Sequence, residues 1–254
     1  MQLIQLTSLA LFAIAALGSP IKVDSTDLSA RQPPTNFGVL IFPAFQALDV
    51  FGPLDVFNTL SMTRSLNLAV ISAKLDPVTT WHSMPNLTGN FGESIVPTHT
   101  LDNPPSNLEV LLVPGGVGTF FSDEELNPYI NFIKKTYPKL RYLITVCTGS
   151  ALAARSGVLD GRRATGNKQS WDWVVAQGPK VRWVHKARWV RDGNIWTTSG
   201  VSAGIDGTFD FVRTIYGKEP ALLVANTLEY EQEFDSHNDP FANIHNKTNG
   251  VMTH

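Results

Sequence analysis

The sequence predicts an α/β sandwich built on a largely parallel sheet. Three observations predict it: short continuous apolar runs recur along the chain, segments of helical spacing separate them, and the runs end in Pro/Gly or small-residue turns. Continuous apolar runs suit strands covered on both faces, and sheets of that kind hold their sites beyond the carboxyl ends of the strands.

Taken in order, Pro33-Pro34 marks the start of the ordered chain, and Phe37-Gly38-Val39-Leu40-Ile41-Phe42 is the first buried strand. Residues 49–60 have helical spacing, 66–73 read as a second strand, and the polar, turn-rich stretch 81–95 reads as hairpin material. Leu108-Glu109-Val110-Leu111-Leu112-Val113 is a third buried strand, closed by Pro114-Gly115-Gly116 and followed by a helix over 123–137. After the strand that leads to Cys147, Gly157 and Gly161 break the helix that follows it. Residues 181–190 and 194–198 then read as strands joined by Asp192-Gly193, and helices over 203–216 and 220–233 close the domain.

Cys147 is the only cysteine. It stands where the apolar run Tyr142-Leu143-Ile144-Thr145-Val146 changes into the small-residue, helix-compatible run Thr148-Gly149-Ser150-Ala151, the pattern of a nucleophile elbow. A helix starting there places amides that favour a thiolate. The competing reading is a small buried hydrophobe behind a strand. Two further features stand beyond strand ends. Gly115-Gly116 offers backbone amides for developing negative charge, or merely a tight turn. Asp49 offers a proton donor, or merely a cap or first-turn partner of the helix dipole.

Bulk properties narrow the classes. Of 254 residues, the first 18 carry an apolar core ending in Ala16-Leu17-Gly18-Ser19-Pro20, which predicts a cleaved leader over 1–18 and a secreted protein. The uninterrupted apolar stretch is too short to span a bilayer. A polar segment or propeptide over 19–35, a domain over 36–242 and a polar tail over 243–254 follow, and the sequons at Asn86 and Asn246 predict a glycoprotein. A net charge of −2 without a Lys/Arg block gives no footprint for nucleic acid. The six histidines lack metal-ligand spacing and are assigned exposed or incidental roles. Asp206 and Asp210 are read as a carboxylate pair, or, for Asp206, as a cap or dipole residue.

The set Phe42-Pro43, Leu48-Asp49-Val50-Phe51-Gly52-Pro53, Val113-Pro114-Gly115-Gly116, Thr145-Val146-Cys147-Thr148-Gly149-Ser150, Gly161-Arg162-Arg163-Ala164-Thr165, Ser202-Ala203-Gly204-Ile205-Asp206 and Leu228-Glu229-Tyr230 resembles the ThiJ/PfpI superfamily, a branch of the class I glutamine amidotransferase-like fold, and within it the isonitrile hydratases. The resemblance implies a flavodoxin-like three-layer sandwich, a homodimer, a small-molecule substrate, and neither metal nor organic cofactor. It implies that Cys147 attacks the terminal carbon of an isonitrile, that Asp49 handles the proton, and that water resolves a thioimidate to an N-substituted formamide. Gly115, Gly116 and Thr148 become polar contacts to substrate. A carboxyl beside that sulfur in an apolar setting is expected to titrate high.

One position departs from the pattern. Many members place a histidine just after the Ala-Thr segment, where this chain has Asn167, which orients a ligand or water but shuttles no protons. That weakens glyoxalase, deglycase and protease readings built on a Cys-His pair. The alternatives to isonitrile hydration are a related hydratase or glyoxalase acting on another small electrophile, and a non-enzymatic redox sensor or ligand-binding protein; the short tail leaves no room for a helix-turn-helix.

Overall fold

The computed structural model describes residues 32–83 and 89–244. The leader, most of the 19–35 segment and the sequon asparagines Asn86 and Asn246 lie outside the described residues.

Seven strands form the main sheet: β1 (Asn36–Leu40), β2 (Asn67–Ser72), β3 (His99–Thr100), β4 (Val110–Val113), β5 (Tyr142–Thr145), β6 (Trp189–Asp192) and β7 (Ile195–Thr198). Their order across the sheet is β6-β7-β5-β4-β1-β2-β3, parallel throughout except for the β6/β7 hairpin. Every residue of β4 and β5 is buried, which is why these strands read as unbroken apolar runs.

The helices are α1 (Ala47–Ser61), α2 (Asp123–Thr136), α3 (Gly149–Arg155), α4 (Trp171–Ala176), α5 (Val201–Ile215), α6 (Lys218–Leu228) and α7 (Pro240–Ile244). From β1 the chain crosses through α1 to β2 in one direction along the sheet; from β4 it crosses through α2 to β5 in the other. Right-handed crossovers therefore put α1 and α2 on opposite faces. The packing agrees: α1, α5 and α6 contact one another, while α2 packs on α3 and α3 on β4 and β5. The result is the three-layer sandwich, and the reversal of direction falls between β1 and β4, where an open α/β sheet leaves a crevice at its carboxyl edge.

Local chemistry explains the element starts. Ser122 caps α2 in a full capping box with Glu125, and acidic residues fill that first turn. Gly193, at φ +62°, makes the β6/β7 turn, and Gly157 and Gly161, at φ +82° and +71°, end the α3 region.

Three expectations are corrected. The stretch 181–190 is not one strand: Arg182–Trp183 pairs with Arg163–Ala164 in a separate ribbon, and only Trp189 onward joins the main sheet. The last long helix stops at Leu228, because Glu229 turns into the left-handed region at φ +50° and the chain continues in irregular form. The tail boundary also shifts, since residues 243 and 244 complete α7. From the 81–95 stretch, Ser94–Ile95 pairs antiparallel with Val78–Thr79. Among the described residues no helix is long and apolar enough to cross a membrane.

Candidate active site

Cys147 sits two residues past β5 with φ +60°, a left-handed conformation that costs a non-glycine residue energy and that surrounding contacts must impose. Here the Cys147 amide donates to the carbonyls of Ser199 (2.8 Å) and Thr198 (3.3 Å), and its own carbonyl accepts from the Ser150 hydroxyl (3.0 Å) and the Asn167 amide (3.3 Å). The residue is 6% exposed. This is the strained elbow that the sequence predicted.

The sheet topology brings Asp49, Gly115, Gly116, Thr148 and Asn167 around it. Asp49 lies in the first turn of α1, but the cap position is Gln46, and the Asp49 carboxylate does not cap the helix. Instead Oδ2 accepts from the Gly115 amide at 2.9 Å, the carboxyl meets the Cys147 thiol, and the buried Oδ1 has no hydrogen-bond partner. Burial, opposed by the Gly115 amide and the thiol, pushes this carboxyl up to about 7.

In the ligand-free site the amides of both glycines are engaged by side chains of the site itself. The Gly115 amide is spent on Asp49, and the Gly116 amide donates to the Thr148 hydroxyl at 3.1 Å. A Cβ on Gly115 would fall 2.4 Å from Thr148 Oγ1 and 3.0 Å from Asp49 Oδ2, so glycine is needed for close approach. Gly116, at φ +132°, has backbone of Ala44 and Gln46 packed against it as tightly, within 2.5 Å of such an atom.

The sulfur itself is surrounded by donors. Asn167 Nδ2 donates to Cys147 Sγ at 3.1 Å, and Thr148 presents its amide and hydroxyl to it. The Asn167 side chain is fixed by accepting from the Ser170 amide at 2.9 Å, and the Thr148 hydroxyl by accepting from Thr119 at 3.0 Å. These donors do not prevail: burial first, and the Asp49 carboxylate second, push the thiol well above the ordinary cysteine range. The Thr148 amide at the start of α3 favours the thiolate but is outweighed, and the resting pair is a thiol beside a carboxyl that titrates near neutrality.

Sequence reasoning missed Lys168 and Asp239. Lys168 is 2% exposed, and its ammonium donates to the Thr165 hydroxyl (2.9 Å) and to the Gly166 carbonyl, the Ala187 carbonyl and the Ser199 hydroxyl (each 3.0 Å) while pairing with Asp239 at 3.2 Å. Burial lowers it to about 8 against the pull of Asp239. No pattern marks a lysine for burial, but Asp239-Pro240 is a helix-start signature, an N-cap residue followed by proline at the first helical position. Asp206 is neither a cap nor half of a pair with Asp210: it binds Arg188, Tyr230 and the Glu233 amide, while Asp210 takes Trp196 Nε1 and Arg213. His185, assigned an exposed or incidental place, is buried against Trp171. Among the described residues no group of three or more His, Cys, Asp or Glu side chains forms a metal site.

Comparison with known proteins agrees with this architecture. A family model described as the DJ-1/PfpI family matches residues 37–216. The chain is 34% identical over 195 residues to an isonitrile hydratase of Pseudomonas putida, covering 76% of this chain and 77% of that protein. It is 26% identical to an HTH-type transcriptional regulator of Pseudomonas aeruginosa, over 70% of this chain and only 49% of the regulator. Among solved structures, a ThiJ/PfpI family protein from Pseudomonas syringae superposes with a TM-score of 0.67 at 26% identity, covering 87% of this chain and 85% of that one.

The expectation of a secreted glycoprotein with a cleaved leader is corrected. The similarity to the Pseudomonas putida protein carries the family and the hydratase likeness and lends secretion, a leader or glycosylation no support. With a family match over most of its length and an isonitrile hydratase among its relatives, this chain belongs to the DJ-1/PfpI family.

Proposed function

We propose that this protein is a lyase-type enzyme that hydrates an isonitrile to an N-substituted formamide, with Cys147 as nucleophile and Asp49 as acid and base. The observation that carries the reading is the buried Asp49 carboxyl, with Oδ1 unpartnered, against the Cys147 thiol. The 34% identity to an isonitrile hydratase supplies the substrate class.

The chemistry follows from the proton inventory. Isonitrile carbon bears a lone pair and accepts a proton and a nucleophile at the same atom. The Asp49 carboxyl, held neutral up to about pH 7, protonates that carbon from its unpartnered oxygen. Cys147 sulfur bonds to it and the thiol proton passes to Asp49, giving the thioimidate R–N=CH–S–Cys147 and restoring the carboxyl. Water then adds to the same carbon. The carboxyl gives its proton to nitrogen and takes one from the attacking water, leaving R–NH–CH(OH)–S–Cys147. The C–S bond breaks, sulfur recovers the hydroxyl proton through Asp49, and R–NH–CHO departs. One isonitrile and one water are consumed, and both side chains return to their starting state.

The donors from Thr148 and Asn167 have a defined part in this cycle. They stabilise sulfur when it carries charge, on attack and again on release, which the high-lying thiol needs. The same raised thiol speaks against a redox sensor, whose cysteine is exposed and easily ionised. A homodimer remains part of this proposal. The test is formamide production from cyclohexyl isonitrile by the purified protein and by Cys147→Ala. The reading expects turnover in the first and none in the second; a folded wild type that produces no formamide, or a Cys147→Ala variant that keeps producing it, overturns it.

A further inference from the structure

The catalytic groups account for the isonitrile carbon, and the substituent on its nitrogen needs a place beside them. A cleft of about 350 Å³ opens next to Asn167, bordered by Leu48, Lys168, Val201, Ala203 and Phe241. Neither Cys147 nor Asp49 lines it, but three of its lining residues adjoin them. Leu48 precedes Asp49 in the chain, Asn167 donates to the sulfur, and Ser199, also on the cleft wall, receives the Cys147 amide.

One wall comes from beyond the stretch matched to the family, which ends at residue 216. That wall is Asp239 with α7, and it is locked into the molecule. Asp239 is 2% exposed; Oδ2 accepts from the Ser199 hydroxyl at 3.2 Å and pairs with the Lys168 ammonium at 3.2 Å, while Oδ1 accepts from the Phe241 amide at 3.1 Å. A buried ion pair with its remaining lone pairs satisfied contributes little net stability, yet removing either partner strands a charge, so the pair fixes position. It links the residue after Asn167 to the residue two before Phe241. At the rim of the same cleft, Leu48 and Phe241 remain 42% and 46% exposed, apolar surface that the protein leaves uncovered.

We propose that this C-terminal segment is the specificity wall of the active site: the Lys168–Asp239 pair anchors it, and Leu48 and Phe241 hold an apolar substituent of the substrate between them. The identity of the substrate rests on the hydratase reading; the position of the wall does not. Apolar contact of this kind discriminates by roughly tenfold or more per group added, which suits a pocket that sorts substrates by the bulk of the substituent.

The test uses the fact that Cys147 is the sole cysteine. Its alkylation rate with N-methylmaleimide and N-cyclohexylmaleimide, in which sulfur bonds to one alkene carbon and the thiol proton goes to the other, is measured for wild type, Phe241→Ala and Leu48→Ala. Both substituted positions are exposed, so the variants fold. The cyclohexyl-to-methyl rate ratio falls about fivefold or more in each variant, and the kcat/KM ratio for the two matching isonitriles falls with it. A ratio within about twofold of wild type in both variants overturns the proposal, and the dissociation constants of N-cyclohexylformamide and N-methylformamide, whose binding needs no ionised thiol, decide it independently by the same ratio. The two readings fail separately. A maleimide ratio that falls while no isonitrile is hydrated upholds the wall and removes the hydratase; hydration with an unmoved ratio does the reverse.

Discussion

Asp49 and Asp206 occupy neighbouring helices, α1 and α5, that pack against each other, and both are essentially sealed from solvent at 0% and 1% exposure. Their surroundings could hardly differ more. Asp206 binds the Arg188 guanidinium at 2.6 and 2.7 Å, the Tyr230 hydroxyl at 2.9 Å and the Glu233 amide at 3.1 Å. Asp49 has one amide at 2.9 Å, a thiol, no cation, and one oxygen with no partner. A buried carboxylate supplied with a guanidinium and donors is cheap to keep and has nothing left to give. A buried carboxyl denied them is expensive to ionise, retains its proton toward neutrality and keeps an oxygen open for a reactant. The difference separates a residue that fastens the C-terminal segment to α5 from one that the proposed mechanism uses for proton transfer.

Four substitutions break or sharpen the contrast. Cys147→Ala has the largest effect on turnover, a loss of at least about a thousandfold in formamide formation, because no other thiol exists in the chain. Asp49→Asn lowers kcat/KM by about 10²–10⁴-fold, the usual worth of a positioned acid, while leaving the molecule folded. Asp206→Ala reverses the pattern: stranding Arg188 destabilises the protein by about 3–5 kcal/mol, a fall in Tm of about 10 °C by calorimetry. Asn167→Ala removes the donor 3.1 Å from sulfur and slows turnover by about tenfold or more, the value of one hydrogen bond to a charged group.

The same contrast predicts a pH dependence. The folded Asp49 carboxyl titrates near 7 against 3.8 for a free one, so the folded state holds the extra proton between those values. Its contribution is fully present below about 3.8 and is lost as pH rises through 7. Asp49→Asn escapes the loss. Its stability advantage over wild type grows from near zero at pH 4 to as much as about 4 kcal/mol at pH 8, measured by urea unfolding, whereas Asp206→Asn shows no such gain. Loss of activity with a gain of stability is the signature of a residue kept for function. In the wild type, kcat/KM with a fixed isonitrile declines above pH 7 as Asp49 ionises.

Much of this was legible in the sequence because it depends on local pattern. Strands buried on both faces wrote themselves as Leu111-Leu112-Val113 and Leu143-Ile144, and the switch from such a run to small residues located Cys147. The edge strand His99–Thr100 carries no apolar run, since only two residues pair there, and it escaped notice. Asp49 was visible as a candidate, but whether it capped α1 or reached across to Gly115 depended on which strands became neighbours, a tertiary fact. The amides of Gly115 and Gly116 fell to other partners for the same reason. Lys168 was invisible because most of its environment is assembled from Ala187, Ser199 and Asp239, three points distant in the chain. Nothing in a lysine's sequence neighbourhood reports such convergence.

The proposed mechanism depends above all on an Asp49 that keeps its proton near neutral pH. Carbon-13 NMR of protein labelled at aspartate carboxyls, with Asp49→Asn identifying the resonance, titrates that group directly. The expected result is an apparent pKa of about 7. A carboxyl that titrates in the ordinary range near 4 would leave the site without its acid and contradict the mechanism.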